Sequence, residues 1–175
     1  MRAQRSSVAA AYLYTGGPKP YGYLGLGDLA VFVFFGFGAV AGTYYVQAHA
    51  VSPLAWLASV PIGALATAIL VVNNLRDIET DARAGKNTLA VRLGDRPTRT
   101  YYLLLLAVAY VVPLLLWLRG LAGPWVLLSW LSLPLALQVA QRMRHESGLA
   151  LNGCLVLTAR LEVVFGLLFA LGLAW

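Results

Sequence analysis

The stretch VVNNLRDIETDARAGKNTLAVRLGDRPTR, residues 71–99, is a charged segment that lies between long apolar runs. Residues 76–99 hold six Lys/Arg and four Asp/Glu, which is half of the charged residues in the 175-residue chain. On its N-terminal side, residues 29–75 carry no formal charge over 47 positions. A run of that length accommodates two membrane-spanning helices of roughly 20 residues each. The pattern therefore predicts an integral membrane protein with a charged loop.

The overall composition supports the same class of protein. Hydrophobic residues make up 60% of the chain, charged residues 11%, and the mean hydropathy is +0.74. These values are typical of a multi-pass membrane protein. The net charge of +6 does not indicate nucleic-acid binding, because the basic residues lie between apolar runs and form no stripe with interleaved aromatic residues. The single cysteine, Cys154, excludes an intrachain disulfide.

The apolar runs predict an all-α membrane protein, because a chain exposed to lipid must satisfy its backbone hydrogen bonds internally. We treat residues 1–175 as a single transmembrane domain. Small residues in FFGFGAVAGTYY (34–45) favour close helix packing over a ligand motif. Five spans are predicted, at residues 29–47, 53–74, 100–118, 124–141 and 149–173.

The distribution of Lys and Arg predicts the orientation in the membrane. Eleven of these residues lie before the first predicted span, in the loop 75–99 or after the fourth span, whereas the opposite side has only Arg119. Basic residues are enriched in cytoplasmic loops. We therefore expect a multi-pass protein of the cell membrane with the N-terminal segment and the loop 75–99 in the cytoplasm.

The acidic residues of the loop need a different explanation, since Asp and Glu contribute little to orientation. If the helix continues past Leu75, Asp77 and Asp81 lie at i and i+4 on one face, one turn after Asn73. Like charges so placed repel each other, so a compensating attraction is expected. Mg²⁺ usually binds one or two carboxylates together with substrate phosphates. We therefore predict Asp77 and Asp81 as metal ligands and Asn73 as an auxiliary oxygen donor.

Three basic residues behind these acids, Arg83, Lys86 and Arg92, are candidate ligands for phosphate oxygens. Carboxylates, a metal and basic groups at a membrane surface indicate a diphosphate whose hydrophobic tail lies among membrane lipids. A second interpretation remains open from the residues alone. In this second interpretation, the charged loop serves only to set the membrane topology of a small transport or scaffold protein.

Two ionisable residues lie within the last predicted span. Arg160 and Glu162 are two positions apart and therefore point to different faces of a helix. An ionisable residue at this depth is a functional-site hypothesis. Arg160 is predicted to contact either an acidic substrate or an acidic residue on a neighbouring helix.

Three stretches resemble the UbiA superfamily of intramembrane prenyltransferases, and within it the 1,4-dihydroxy-2-naphthoate polyprenyltransferase branch. NNLRDIETDARAGKNTLAVRLG (73–94) is similar to the second aspartate-rich motif of that family. YTGGPKPYGYLGLGD (14–28) and LNGCLVLTARLEVVFGLL (151–168) are similar to other parts of the same branch. The resemblance implies that the five spans correspond to helices five to nine of a nine-helix bundle. No stretch resembles the first aspartate-rich motif, so we expect the C-terminal half of a longer enzyme.

The resemblance also implies an activity. The complete enzyme would use Mg²⁺ on Asp77 and Asp81 to transfer a polyprenyl group from polyprenyl diphosphate to 1,4-dihydroxy-2-naphthoate. Loss of CO₂ would give demethylmenaquinone, an intermediate of menaquinone biosynthesis. Tyr14 and Lys19 resemble a Tyr and a Lys near the diphosphate. If Arg160 contacts the substrate and not an acidic residue on a neighbouring helix, the naphthoate carboxylate is its expected partner.

Several alternatives stay open within this family. A related aromatic acceptor, such as 4-hydroxybenzoate or homogentisate, is one of them. A separately encoded N-terminal half is a possible partner. We expect this chain to be inactive without such a half.

Overall fold

The computed structural model describes residues 25–175, and every regular element in that range is helical. This finding confirms the all-α membrane class predicted from the sequence. Within the described range, four helices are long and apolar enough to cross a membrane, with mean hydropathies of 1.8 to 2.2. We name them the first span (Gly27–Ala48), the second span (Pro53–Arg76), the third span (Asp95–Leu118) and the last span (Gly148–Leu173).

The predicted span at 124–141 differs from the structure. It forms two consecutive helices, a 3₁₀-helix at Pro124–Ser132 and an α-helix at Leu133–His145. The side chains of Ser129 and Ser132 each donate a hydrogen bond to the carbonyl three residues earlier, at 3.0 and 2.6 Å. That spacing matches the tighter 3₁₀ turn. The segment is therefore helical over the whole predicted span, but as two consecutive helices and not as a single α-helix.

The second span is the centre of the bundle. In its most apolar window 67% of the residues are buried, against 11% in the first span. It packs against the first, third and last spans. The third and last spans are also joined directly, because the hydroxyls of Tyr102 and Thr158 form a buried hydrogen bond of 2.9 Å. These contacts fix the C-terminal end of the second span, from which the charged loop begins.

The first span crosses the second at a pair of glycines. Its middle, Phe32–Ala41, is a π-helix, which no sequence pattern predicted. A Cβ atom added to Gly36 would lie 2.9 Å from the carbonyl oxygen of Ser59. One added to Gly63 would lie 2.9 Å from the carbonyl oxygen of Phe32. The two backbones are therefore in contact, as the small residues of this segment predicted.

Replacing Gly63 with alanine is expected to destabilise the protein by roughly 1–3 kcal/mol, because the added methyl group forces the two backbones apart. The measurement is denaturant-induced unfolding in detergent micelles. Gly166→Ala on the last span is the matched control, since the nearest heavy atom, on Ile62, would lie 3.9 Å from its new Cβ. Equal stability of the two variants would contradict a backbone-to-backbone crossing.

The charged loop contains two short helices, Ile78–Arg83 and Leu89–Leu93. The side chain of Thr88 caps the second by accepting a hydrogen bond from the backbone N–H of Val91 at 3.3 Å. Gly85, with φ of 72°, turns the chain between the two helices. This turn directs the residues that follow the first loop helix back towards it.

Candidate functional site

Arg76 is the centre of a hydrogen-bond network at the end of the second span. Its guanidinium donates to both carboxylate oxygens of Asp77, at 2.8 and 2.5 Å. It also donates to the side-chain oxygens of Asn73 and Asn152, each at 2.9 Å. Asn152 belongs to the last span, so this network joins two spans to the first residue of the loop. A planar guanidinium suits such a role because its donors point in fixed directions.

Asp81 forms a second ion pair in the loop. The residue is only 8% exposed, and one of its carboxylate oxygens lies 3.2 Å from the Nζ atom of Lys86. The turn at Gly85 makes this contact possible, and the backbone N–H of Lys86 donates to the carbonyl of Asp81 at 2.9 Å. Both predicted metal ligands are therefore held by cations. The two ion pairs therefore provide the compensating attraction that the spacing of Asp77 and Asp81 predicted from a metal ion.

The pKa of Asp77 reflects these surroundings. The hydrogen bonds from Arg76 hold the pKa of Asp77 below its ordinary value, with a smaller contribution in the same direction from the charge of Lys86. Partial desolvation of the carboxyl acts in the opposite direction. Asp77 is therefore ionised at neutral pH. The backbone hydrogen bond from Asp81 to Asp77 places the two ion pairs one helical turn apart, and we call Arg76, Asp77, Asp81 and Lys86 together the acidic cluster.

The helix of the second span was expected to continue through Asp77, but it ends one residue earlier. The second span ends at Arg76, and Asp77 has φ of −97° and ψ of 10°, outside the α region. A separate helix, Ile78–Arg83, follows. The backbone N–H of Asp81 still donates to the carbonyl of Asp77 at 2.8 Å, so one helical turn of spacing is kept across the bend.

The other predicted site residues are more dispersed. Arg83 pairs with Glu79 at 3.3 Å, with both side chains more than 70% exposed, so this pair contributes little. Arg92 is exposed and lies against Gly25, where an added Cβ would be 3.1 Å from its Nε atom. Arg160 is exposed on the last span and makes no hydrogen bond or ion pair within residues 25–175. Tyr14 and Lys19 lie outside the described residues.

Three polar residues at or near this site were not predicted from the sequence. Arg76 and Asn152 had a detectable signal, because each is a polar residue at the end of an apolar span. Asp28 is the third, located near the start of the first span and only 5% exposed. Neither of its carboxylate oxygens has a hydrogen-bond partner among residues 25–175. It lines a small enclosed space together with Asn74, Thr98 and Tyr101.

The oxygen donors at this site suit a hard cation. No group of three or more His, Cys, Asp or Glu side chains within residues 25–175 is placed to hold a metal ion. Asp77, Asp81 and Asn73 nevertheless present carboxylate and amide oxygens, which Mg²⁺ prefers. Mg²⁺ commonly takes one or two carboxylates and completes its shell with water and substrate phosphates. The residues present therefore fit Mg²⁺ as part of a larger ligand set.

Known proteins resemble this chain over most of its length. The model of the UbiA prenyltransferase family matches residues 6–151. The 1,4-dihydroxy-2-naphthoate octaprenyltransferase of Mycobacterium tuberculosis is 55% identical over 141 residues, covering 81% of this chain and 47% of that protein. The Escherichia coli protein of the same name is 44% identical over 168 residues, covering 95% of this chain and 54% of that protein.

A more distant relative is an animal protein. UbiA prenyltransferase domain-containing protein 1 of Mus musculus is 31% identical over 166 residues, covering 95% of this chain and 48% of that protein. The chain therefore spans about half the length of the curated relatives it matches. Since the family model matches most of its residues, the chain belongs to the UbiA prenyltransferase family.

Proposed function

We propose that the complete protein transfers a polyprenyl group from polyprenyl diphosphate to 1,4-dihydroxy-2-naphthoate, with loss of CO₂, giving demethylmenaquinone. The observation that carries this proposal is the cluster of Asp77, Asp81, Arg76 and Lys86 at the end of an apolar span. Relatives that are 55% and 44% identical are named 1,4-dihydroxy-2-naphthoate octaprenyltransferases, which supports the same acceptor.

The cluster has the charges that a diphosphate site requires. Asp77 and Asp81 would hold Mg²⁺, with Asn73 as an auxiliary oxygen donor. When bound, Mg²⁺ stabilises the negative charge on the departing diphosphate. Lys86 pairs with Asp81 at 3.2 Å, so it lies within reach of a diphosphate that Mg²⁺ would hold beside this carboxylate. Cations that already neighbour the carboxylates need little rearrangement to contact phosphate oxygens.

The remaining predicted residues would complete the substrate contacts. Arg83 and Arg92 are exposed on the loop and are proposed to contact phosphate oxygens. Tyr14 and Lys19 are proposed at the same diphosphate. Arg160 is proposed to contact the carboxylate of the acceptor. We place the loop on the cytoplasmic side of the cell membrane, because eleven of the thirteen Lys/Arg residues lie on that side of the predicted topology.

A further part of the proposal concerns the rest of the enzyme. This chain spans about half the length of these relatives. We propose that an N-terminal half supplies the other aspartate-rich motif and the rest of the substrate cavity. That half would be either joined to this chain or separately encoded. The 175-residue chain alone is expected to show no transferase activity.

A binding experiment tests the diphosphate site in the chain itself. The chain in lipid nanodiscs is titrated with farnesyl diphosphate, a short soluble polyprenyl diphosphate, in the presence of Mg²⁺ or of EDTA. We expect saturable binding that requires Mg²⁺ and is lost in the Asp77→Asn, Asp81→Asn double variant. Unchanged binding by that variant would contradict the proposal. Farnesol serves as the control ligand, since it has the tail without the charge.

A further inference from the structure

An apolar cavity of about 370 Å³ lies between the first, second and last spans. Sites for small molecules typically have volumes of roughly 300–1,000 Å³ and apolar walls with a few placed polar groups. Among the described residues that line this cavity, only Asn73 and Glu162 are polar. Asn73 accepts the hydrogen bond from Arg76, which also holds Asp77. The cavity therefore begins at Asn73, one helical turn before Asp77, and continues along the membrane-spanning part of the bundle.

A cavity that holds only a hydrocarbon tail does not need an ionisable side chain such as that of Glu162. It is the twelfth residue of the helix Leu151–Leu173, roughly 16 Å from the start of that helix. Its side chain forms no hydrogen bond or ion pair within residues 25–175. An ionisable group at that depth is costly and is usually retained for a function. A polyprenyl chain offers it no hydrogen-bond donor.

The last span presents a second charge near Glu162. At about 100° per residue, Glu162 and Arg160 lie roughly 160° apart around the helix axis, on different sides of the last span. Glu162 lines the cavity, whereas Arg160 is not among the described residues that line it, so the helix face between them borders the cavity at Glu162. Within residues 25–175 nothing covers the centre of that face, where Val156 and Val163 are each 61% exposed. A ligand on this face would meet a carboxylate at one edge and a guanidinium at the other. An aromatic acceptor that carries both a hydroxyl and a carboxylate matches this pair.

We propose that Glu162 determines specificity for the aromatic acceptor by accepting a hydrogen bond from a ring hydroxyl within this cavity. The inference rests on the proposed function and assigns a residue to the acceptor. The anionic carboxylate of the acceptor is repelled by Glu162 and must point away, towards the edge that carries Arg160. The hydroxyl that Glu162 binds is therefore the one farther from the carboxylate. This contact fixes which edge of the ring faces the acidic cluster.

The test compares two ligands that differ by one hydroxyl, 4-hydroxy-2-naphthoate and 2-naphthoate. Their binding to the chain in lipid nanodiscs is measured by ligand fluorescence. We expect the hydroxylated ligand to bind roughly 10-fold more tightly, as for a hydrogen bond to a charged group. Glu162→Ala is expected to remove this preference, and Glu162→Gln to retain part of it, because the amide oxygen still accepts.

Arg160→Gln is the matched control on the same helix. Both ligands carry a carboxylate, so this variant is expected to weaken both equally and to leave their ratio unchanged. A merely structural role for Glu162 would likewise change both affinities together. An unchanged ratio in Glu162→Ala would therefore overturn the inference.

Titration with farnesyl diphosphate and Mg²⁺ separates this inference from the proposed function. Intact diphosphate binding without any hydroxyl preference would overturn the role of Glu162 alone. A hydroxyl preference that Glu162→Ala removes, without any diphosphate binding, would overturn the prenyltransferase proposal and leave Glu162 supported as an acceptor of a hydroxyl group.

Discussion

Replacing either Asp77 or Asp81 with asparagine is expected to lower Mg²⁺-dependent prenyl transfer by roughly 100-fold or more in an enzyme that also contains the N-terminal half. Asparagine keeps the size of the side chain and one oxygen, but removes the negative charge that a hard divalent cation requires. Loss of one preorganised electrostatic contact to a developing charge commonly costs a factor of roughly 10²–10³ in rate. The measurement is formation of prenylated product from farnesyl diphosphate and 1,4-dihydroxy-2-naphthoate in membranes.

Glu79→Gln is the control for this experiment. Glu79 lies on the same loop helix as Asp81, is exposed, and pairs with Arg83 at 3.3 Å. Its replacement removes one negative charge from the loop without touching the acidic cluster, so activity should stay near that of the unmodified enzyme. Full activity in the Asp77→Asn, Asp81→Asn double variant would contradict the assignment. Transfer activity from the purified 175-residue chain would contradict the need for an N-terminal half.

Replacing Arg76 with glutamine is expected to destabilise the protein by roughly 1–2 kcal/mol near pH 7. The variant loses hydrogen bonds to Asp77, Asn73 and Asn152, and those to a charged partner contribute most. The side chain of Asp77 is 34% exposed, so solvent screening keeps this figure modest. Unfolding in detergent micelles, followed by circular dichroism, measures the difference.

The pH dependence of this effect has a definite sign. The pKa of Asp77 in the folded protein is lowered by the hydrogen bonds from Arg76. The stabilisation is therefore fully present above the unfolded-state pKa of about 3.9 and is lost as the pH falls through the lowered folded-state value. The stability difference between the unmodified protein and Arg76→Gln should shrink at acidic pH.

Arg83→Gln provides the matched comparison for Arg76. Arg83 also pairs with an acidic residue of the loop, but both partners are exposed, so its loss should change stability by less than about 0.5 kcal/mol. Equal destabilisation by the two substitutions would show that the hydrogen bonds of Arg76 stabilise the protein no more than the exposed pair of Arg83 and Glu79. A deficit in Arg76→Gln that stays constant down to acidic pH would exclude Asp77 as the partner responsible.

Much of the fold was predictable from the sequence, because span length and polarity are imposed by the bilayer. Four apolar runs form helices whose ends lie within a few residues of the predicted ones. The segment 124–141 was not predictable in the same way. Its hydropathy resembles that of the other runs, whereas its 3₁₀ part depends on the hydroxyls of Ser129 and Ser132 and on tertiary contacts. The π-helix Phe32–Ala41 has no local signal either.

The acidic cluster was likewise predictable only in part from the sequence. The spacing of Asp77 and Asp81 indicated a cation site, since acidic residues in a topogenic loop need another explanation. The contacts of Arg76 and Lys86 depend on the bend at Asp77 and on the turn at Gly85, which helical spacing alone does not contain. Asn152 could not be placed beside Arg76 from the sequence, because the two residues are brought together only by the packing of the second and last spans.

The hydrogen bond between Arg76 and Asn152 links positions separated by 76 residues. During synthesis the whole loop is therefore exposed at the membrane surface before its partner in the last span has been made. The arginine network can reach its final geometry only after that last helix has been inserted. A protein truncated before Asn152 would lack the hydrogen bond that joins Arg76 to the last span. A complete hydrogen-bond network around Arg76 thus indicates that the last span has been inserted.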